Sequence, residues 1–546
     1  MSSADPTDQA ATDQSAAAQR ISSQTWVAMG ALGLVVFAIA NDFTAMNVVL
    51  PAIESELDAD LSTTQWVVNG YALMFGVLIV PGGRFADMFG RTKVLYIGCA
   101  LFGLFSLLGG FAPNIALLIA ARVSMGIGAA LMWPAILGLI YALLPDAKAG
   151  LAGGLVIGIA GIGNATGPVI AGALAEVSWR YIFFLNVPIV LVAAIVTHFK
   201  VHLESPITKE KVDYAGTALL ALSLLALLGA LTVAPDIGWT QPVVLGGVAM
   251  FVVLMGAFVL RERTVGEAGL VPPSVMGTPA FRWACIAVLM MSATFFTTLL
   301  YLPQFFSKLL EASTLEAGLM LLPFVATFAA ASFSETWLLN RIGMKAVITI
   351  GAAGLFAGPL LIAILSADSA GFASVIPGMV VLGVGVGFFY SSVTTAALTA
   401  LPPEKSSLAG GLLYMFQIAG GAVGLGISTA VFLVTSGNEV TRSAEELGIT
   451  LSSSEVADVR GVLAGTDTSA EVLKAYPSQA TQLTEVVRDS FMFGMRWAFI
   501  LCAALSLIGL VIAATRVGGP LSRLGRDVEK SPGEAGELGE EVSDLP

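Results

Sequence analysis

The chain has little charge, little cysteine and almost no histidine. Only 12% of its residues are Asp, Glu, Lys or Arg, about half the share of a soluble globular protein. That excludes an ordinary water-soluble domain. The three cysteines, Cys99, Cys285 and Cys502, sit singly in apolar blocks, so no disulfide framework or CxxC redox pair is predicted. His198 and His202 stand near the end of one apolar block, and no metal site is visible. No nucleophile–base pair and no Gly-rich phosphate loop appears, which argues against an enzyme. The net charge of −12 comes largely from the acidic tail and from loops and argues against a nucleic-acid partner. The first two dozen residues hold one base, Arg20, and lack the basic start of a signal peptide, so no cleavage is expected.

What the chain has is long apolar runs. Hydrophobic residues make up 56% of it, and the mean hydropathy is +0.86. Blocks of about 20 apolar residues recur, the length of a membrane-spanning helix, whereas a barrel would alternate over ~10 residues. Fourteen spans are predicted, centred near Val36, Phe75, Gly103, Gly126, Gly161, Val190, Leu224, Val252, Met290, Val325, Leu355, Gly383, Gly420 and Ser506. An even number puts both termini on one side. Lys and Arg gather in alternate loops, which hold Arg84, Arg91, Lys93, Lys148, Lys200, Arg341 and Lys345, while the opposite loops hold little beyond Arg180 and Lys308. That bias predicts cytoplasmic termini in a multi-pass protein of the cell membrane.

The expected organisation is a disordered N-terminus (1–24), a six-helix bundle (25–200), a linker with inserted spans 7 and 8 (201–280), a second six-helix bundle (281–516) and a disordered acidic tail (517–546). A weak repeat supports it. The loops after spans 2 and 10 both place a polar residue, then Gly and a base, in Asp87…Gly90-Arg91 and Asn340…Gly343-Met344-Lys345. If spans 9 to 14 repeat spans 1 to 6, spans 7 and 8 are an inserted pair. The polar loop 437–490 lies within the second bundle. Ser443-x-x-Glu446, Ser452-x-x-Glu455 and Thr468-x-x-Glu471 resemble capping boxes, so the loop is read either as a small helical cap or as a solvated connector.

Two charges fall inside spans. Asp42 follows an uncharged run from Trp26 to Ala40, flanked by Asn41 and Asn47. A carboxylate in hydrocarbon is costly enough that function is its default reading; a structural polar contact is the alternative. Arg122 lies about seven residues into span 4. At ~1.5 Å per residue the two sit at similar depth on antiparallel helices, so they can face each other. Burial and a nearby cation act oppositely on a carboxylate, which makes Asp42 a candidate proton carrier with Arg122 as its modulator. Glu335, near the end of span 10, is read as a solvated group, with a second proton or cation site as the alternative. Candidate cavity residues are Asn41, Asn69, Tyr71, Met125, Asn164, Tyr301, Gln304, Phe389, Tyr390, Tyr414 and Gln417. Aromatics with few polar groups suit apolar or amphipathic compounds, although for any one of these residues taken alone core packing or interface anchoring is the first reading.

Five stretches carry a family resemblance. Gly83-Arg84-Phe85-Ala86-Asp87-Met88-Phe89-Gly90-Arg91-Thr92-Lys93 resembles the inner-loop signature of the major facilitator superfamily, with Arg84 and Met88 as variations. Arg122 to Ala130 resembles its span-4 motif, with Met125 where Gln is usual. Gly154, Gly163, Gly167, Pro168 and Gly172 in span 5 are similar to the antiporter run. Trp179-Arg180-Tyr181-Ile182-Phe183-Phe184-Leu185-Asn186-Val187-Pro188 resembles a link found in fourteen-span drug:proton antiporters of the EmrB/QacA type, as does Asp42 to Pro51. The resemblance spans residues 25 to 516. It implies an all-α major facilitator fold, with two six-helix bundles and an inserted pair. It also implies that Gly83, Asp87, Gly90, Arg91 and Lys93 help latch the halves during switching.

The expected function is proton-coupled export of hydrophobic or amphipathic compounds by alternating access. No cofactor is expected beyond the coupling protons. The expected partners are a small-molecule substrate and the bilayer, with the chain a monomer. The alternatives are export of a native lipid or metabolite, a proton-coupled importer, and a non-transporting sensor or accessory protein. The span-1 ExxER-type signature of peptide symporters is missing.

Overall fold

Polar caps open several of the helices that the apolar runs propagate. Ser22, Asn114 and Asp213 each accept a hydrogen bond from a first-turn amide, those of Thr25, Leu117 and Gly216, satisfying donors that a helix start leaves open. From there each helix meets its own backbone demand, which a spanning segment must do where water is absent. The computed structural model describes residues 21–59, 61–144, 149–201, 213–365, 371–449 and 480–518.

Fourteen long helices result among the described residues, each apolar enough to cross a membrane. They are α1 (Ser23–Leu57), α2 (Leu61–Phe89), α3 (Arg91–Gly110), α4 (Ile115–Leu143), α5 (Ala149–Ala175), α6 (Arg180–Lys200), α7 (Tyr214–Ile237), α8 (Pro242–Val265), α9 (Pro279–Lys308), α10 (Leu322–Ile342), α11 (Met344–Leu365), α12 (Phe372–Thr399), α13 (Ser406–Glu446) and α14 (Ala480–Arg516). Short helices at Pro273–Gly277 and Thr314–Met320 precede α9 and α10. The second of these, opened by a Ser313–Glu316 capping box, pushes the start of α10 to Leu322, so that span is centred several residues beyond Val325.

The packing repeats with an offset of eight helices. In the first bundle α1 packs on α5 and α6, α2 on α4, and α3 on α4 and α6; in the second, α9 packs on α13 and α14, α10 on α12, and α11 on α12 and α14. The pair α7–α8 stands outside both sets. Helix α7 touches α2 and α13, and α8 packs mainly on α7. These are the two six-helix bundles and inserted pair that the repeat predicts.

Two readings are corrected. Ser443 and Glu446 do not open a short helix; they lie in the last turn of α13, which runs unbroken to Glu446. The run of helix-forming residues after Gly437 simply prolongs span 13, and Ala480 to Ser490 likewise begins α14. The boxes at Ser452 and Thr468 lie outside the described residues, as do most of the predicted disordered ends. Glu335 is not solvated but fully buried.

The inserted pair is tied down at the end of the molecule where α1 starts and α14 ends, the terminal end. Asp213 pairs with Arg261 at 2.7 Å. Burial would raise the Asp213 carboxyl, but Arg261 and the capped amides outweigh it and hold it below the usual carboxylate range. After α8, Glu267 accepts from Ser274 Oγ at 2.7 Å and from Lys405 Nζ at 3.4 Å; the Ser274 bonds first, then Lys405, lower its pKa.

Candidate functional site

Asp42 and Arg122 form an ion pair with both side chains fully buried. Arg122 Nη1 takes Asp42 Oδ2. The other carboxylate oxygen accepts from Asn186 Nδ2 at 2.8 Å. Asn186 is held in turn by Ser106, whose hydroxyl lies 3.3 Å from Asn186 Nδ2 and donates to the Phe183 carbonyl at 2.8 Å. Arg122 is fixed from three further sides. Its Nε donates to the Val67 carbonyl at 2.8 Å, Met125 Sδ lies 3.9 Å from Nη1, and the guanidinium sits 4.4 Å over the Tyr71 ring. Helices α1, α2, α3, α4 and α6 thus meet on one carboxylate. Desolvating two charges costs several kcal/mol per ion, which only close pairing and full hydrogen bonding offset. Not every atom here is matched. Arg122 Nη2, Asn186 Oδ1 and both amide atoms of Asn41 are buried without a protein partner.

A chain of rings leads from this pair to the middle of the molecule. Tyr71 lies 6.1 Å from Phe75, Phe75 lies 5.5 Å from Tyr414, and Trp133 lies 4.4 Å from Tyr414. Phe43, Phe75, Trp133 and Asn164 of the first bundle, with Phe295, Phe296 and Tyr414 of the second, wall a central cavity of about 30 Å³. A drug-sized ligand needs ~300 Å³ or more, so the bundles must part before one can bind.

The terminal end is shut. Asp87 accepts from Arg91 Nε at 3.1 Å, and Arg91 donates to the Gly138 carbonyl at 3.1 Å. Its second oxygen crosses to the other bundle and accepts from Leu408 N at 2.8 Å. The N-cap residue of α13, Lys405, makes no side-chain cap, and Asp87 supplies a cap and a negative charge at that N-terminus from the opposite bundle. Gly83 allows the approach, because a Cβ there would lie 2.6 Å from the Ser407 carbonyl oxygen. Gly90 has φ +100, the left-handed region, as the turn into α3 requires. Lys93 points outward and is exposed.

The span-5 glycines divide. Gly163 and Gly167 bring α5 against the α1 backbone at Phe37 and Asn41, Gly154 abuts the Ser332 carbonyl of α10, and nothing lies within 4 Å of a Cβ on Gly172. Pro168 sits beside Gly318, where the short helix touches α5 at the opposite end. Of the cavity candidates, Asn164 and Tyr414 line it. Tyr390 stands behind Phe295 at 5.9 Å and hydrogen bonds Ser292, while Tyr71 and Met125 serve Arg122. Tyr301 pairs instead with Phe432, Gln304 accepts from Lys308, and Phe389 packs on Gly351 within the second bundle. Asn41, Asn69 and Gln417 do not line the cavity.

Sequence reasoning missed Asn186 as a site residue, although it read the segment that contains it. That segment has two jobs. Trp179 and Arg180 clasp Glu56 at the end of α1, at 2.7 and 2.9 Å, and one turn and a half later Asn186 reaches Asp42.

The chain matches the Major Facilitator Superfamily profile over residues 32–425. It belongs to that superfamily. Similar proteins include the tetracenomycin C resistance and export protein of Streptomyces glaucescens, 27% identical over 91% of this chain and 92% of that protein. The lincomycin resistance protein of Streptomyces lincolnensis is 31% identical over 75% of this chain and 85% of its own. The multidrug resistance protein Stp of Mycobacterium tuberculosis is 31% identical over 73% and 74%. Among solved structures, the human organic anion transporter MFSD10 (TETRAN) superposes with a TM-score of 0.58 at 10% identity, over 90% of this chain and 99% of that one; at that identity the likeness speaks for the fold alone. These relatives agree with the fourteen-span EmrB/QacA type read from the sequence, and the superfamily is one of carriers rather than enzymes.

Proposed function

We propose that this major facilitator protein exports hydrophobic or amphipathic compounds, drugs and antibiotics among them, in exchange for protons. The observation that carries the proposal is a buried carboxylate, Asp42, joined by a ring chain to an aromatic cavity between two bundles. The termini are assigned to the cytoplasm from the Lys and Arg bias. The two bundles 25–200 and 281–516 are the moving halves, the α7–α8 linker lies between them, and the chain works as a monomer.

The exchange follows from charge. With Asp42 ionised, its pair with Arg122 is neutral; with Asp42 protonated, the site carries one positive charge. A cation in the cavity is repelled by the second form and not by the first. Two unit charges ~10 Å apart repel by about 1.7 kcal/mol at an effective dielectric of ~20. Proton loading from outside therefore favours release of a cationic compound, and proton loss inside restores the empty site. Asn186 suits both states. Its amide nitrogen serves the carboxylate, and its oxygen, unpartnered here, is an acceptor for a protonated Asp42. Asp87, Arg91 and Gly83 close the cytoplasmic end in one of the two states.

Uptake of ethidium into everted vesicles with an imposed proton gradient tests this. Gradient-driven uptake that Asp42→Asn abolishes is the expected result. Gradient-driven uptake that survives Asp42→Asn would remove Asp42 from the mechanism. A native lipid or metabolite remains the second reading for the transported compound.

A further inference from the structure

A second carboxylate is buried in the other bundle, and nothing above uses it. Glu335 of α10 is 0% exposed. It lies seven residues before the end of α10, about 10 Å inside the terminal end at ~1.5 Å per residue. Ser392 Oγ of α12 donates to its Oε1 at 3.0 Å, and Thr336 Oγ1 lies 3.4 Å from its Oε2. No Lys, Arg or His among the described residues pairs with it. The titratable side chain facing it is the Tyr141 phenol of α4. Two more hydroxyls in this region, Ser332 Oγ and Ser391 Oγ, are fully buried without a partner.

This cluster lies where the two bundles touch. Tyr141 Oη reaches across to Thr395 Oγ1 at 3.3 Å, and Thr395 Oγ1 donates to the Ser391 carbonyl at 3.0 Å. Gly153 of α5 leaves no room for a Cβ, which would lie 2.6 Å from Thr395 Oγ1, and Gly154 abuts the Ser332 carbonyl. The first bundle therefore packs directly on the two helices that hold Glu335 and its partner Ser392.

We propose that Glu335 is a second proton-binding site, which holds a proton while the terminal end is shut and loses it to water when the bundles part there. An ionised carboxylate without a cation is strongly disfavoured where water is excluded, and two hydroxyl donors replace its hydration only in part. A neutral carboxyl suits the cluster better, since it adds an O–H donor next to hydroxyls that can accept. Parting of α5 from α10 and α12 removes Gly153 and Gly154 and admits water, after which ionisation costs little. A bare metal ion does not fit, because the group offers one carboxylate and hydroxyls and no further anionic oxygen. The role in transport rests on the exchange reading above; the proton site itself is tested without transport.

The test is infrared spectroscopy of the full chain in lipid nanodiscs, read at the carbonyl stretch of a protonated carboxyl. Spin labels at Phe89→Cys and Glu404→Cys, both exposed at the terminal end, report its opening; the native cysteines are buried. A band is expected that shifts on carbon-13 labelling of glutamate, vanishes in Glu335→Gln, persists in Asp42→Asn and returns at an altered frequency in Glu335→Asp. On alkaline titration it should fade as the label distance lengthens. A band indifferent to Glu335→Gln, or one that fades while the label distance stays fixed, overturns the proposal. Ethidium uptake without gradient dependence would strike the exchange reading and leave both signals standing.

Discussion

The two bundles each bury a carboxylate in the same fold, yet in opposite company. Asp42 has a guanidinium on one oxygen and an amide on the other. Glu335 has two hydroxyls and no cation. The first is held in an ion pair, and the second is built to be neutral in the closed molecule. The two acids do not stand on counterpart helices: Asp42 on α1 meets Arg122 of α4, whereas Glu335 on α10, the counterpart of α2 by the eight-helix offset, meets Ser392 of α12.

The largest effect should come from breaking the charged member. Arg122→Ala leaves a buried carboxylate with Asn186 alone and is expected to cost 3–5 kcal/mol of stability at neutral pH, less in acid, where Asp42 can take a proton. Thermal unfolding in detergent measures it. Pairing Asp42→Asn with Arg122→Ala should recover part of the loss, because no charge is then left alone, and the double-mutant cycle with the two single variants reports the coupling. Additive losses would mean that the pair does not act as a unit.

Next in size is the latch. Asp87→Asn keeps the shape but removes the charge from the α13 N-terminus and from Arg91. A loss of about 1–2 kcal/mol from the closed state, roughly a 5- to 30-fold population shift, should lengthen the Phe89–Glu404 label distance. Gly83→Val should open the same end by collision with Ser407. An unchanged distance in both would mean that the terminal end is held elsewhere.

Glu335→Gln sharpens the comparison by its mildness. Exchanging a neutral acid for a neutral amide that can still accept from Ser392 is expected to change stability by less than about 1 kcal/mol. A cost as large as that of Arg122→Ala would show that Glu335 is ionised in the closed molecule.

Asp213→Asn, at the edge of the inserted pair, should cost about 1 kcal/mol through the lost ion pair with Arg261 and the lost negative charge at the α7 N-terminus. The Asp213 carboxyl is held below its ordinary range in the folded chain. Its contribution is therefore complete at neutral pH and fades as pH falls below about 4, through the lower folded value. The wild-type advantage over Asp213→Asn in unfolding scans should vanish only in strong acid.

The helix number, the repeat and the depth match of Asp42 with Arg122 were legible in the sequence because length and hydropathy carry them. Partners across helices were not. Asn186 looked like one polar residue in a linking motif, and only the fold brings α6 to α1. Leu408 offers a backbone amide to Asp87, which no side-chain pattern reveals. The position of Glu335 near a helix end suggests solvent, whereas Ser392 of α12 and the Tyr141 phenol of α4 face it. Tyr301, Gln304 and Phe389 share the composition of the cavity wall but face other neighbours, since residue type alone does not tell which side of a buried helix meets the gap.

Proton release on ethidium binding, measured with purified protein in weakly buffered detergent solution, tests the central claim most directly. Starting from an acidity at which Asp42 carries its proton, the wild type should release protons as the dye binds, and Asp42→Asn should bind dye while releasing about one fewer per bound molecule. Equal release from the two proteins at equal binding would contradict the assignment of Asp42 as the exchanged acid.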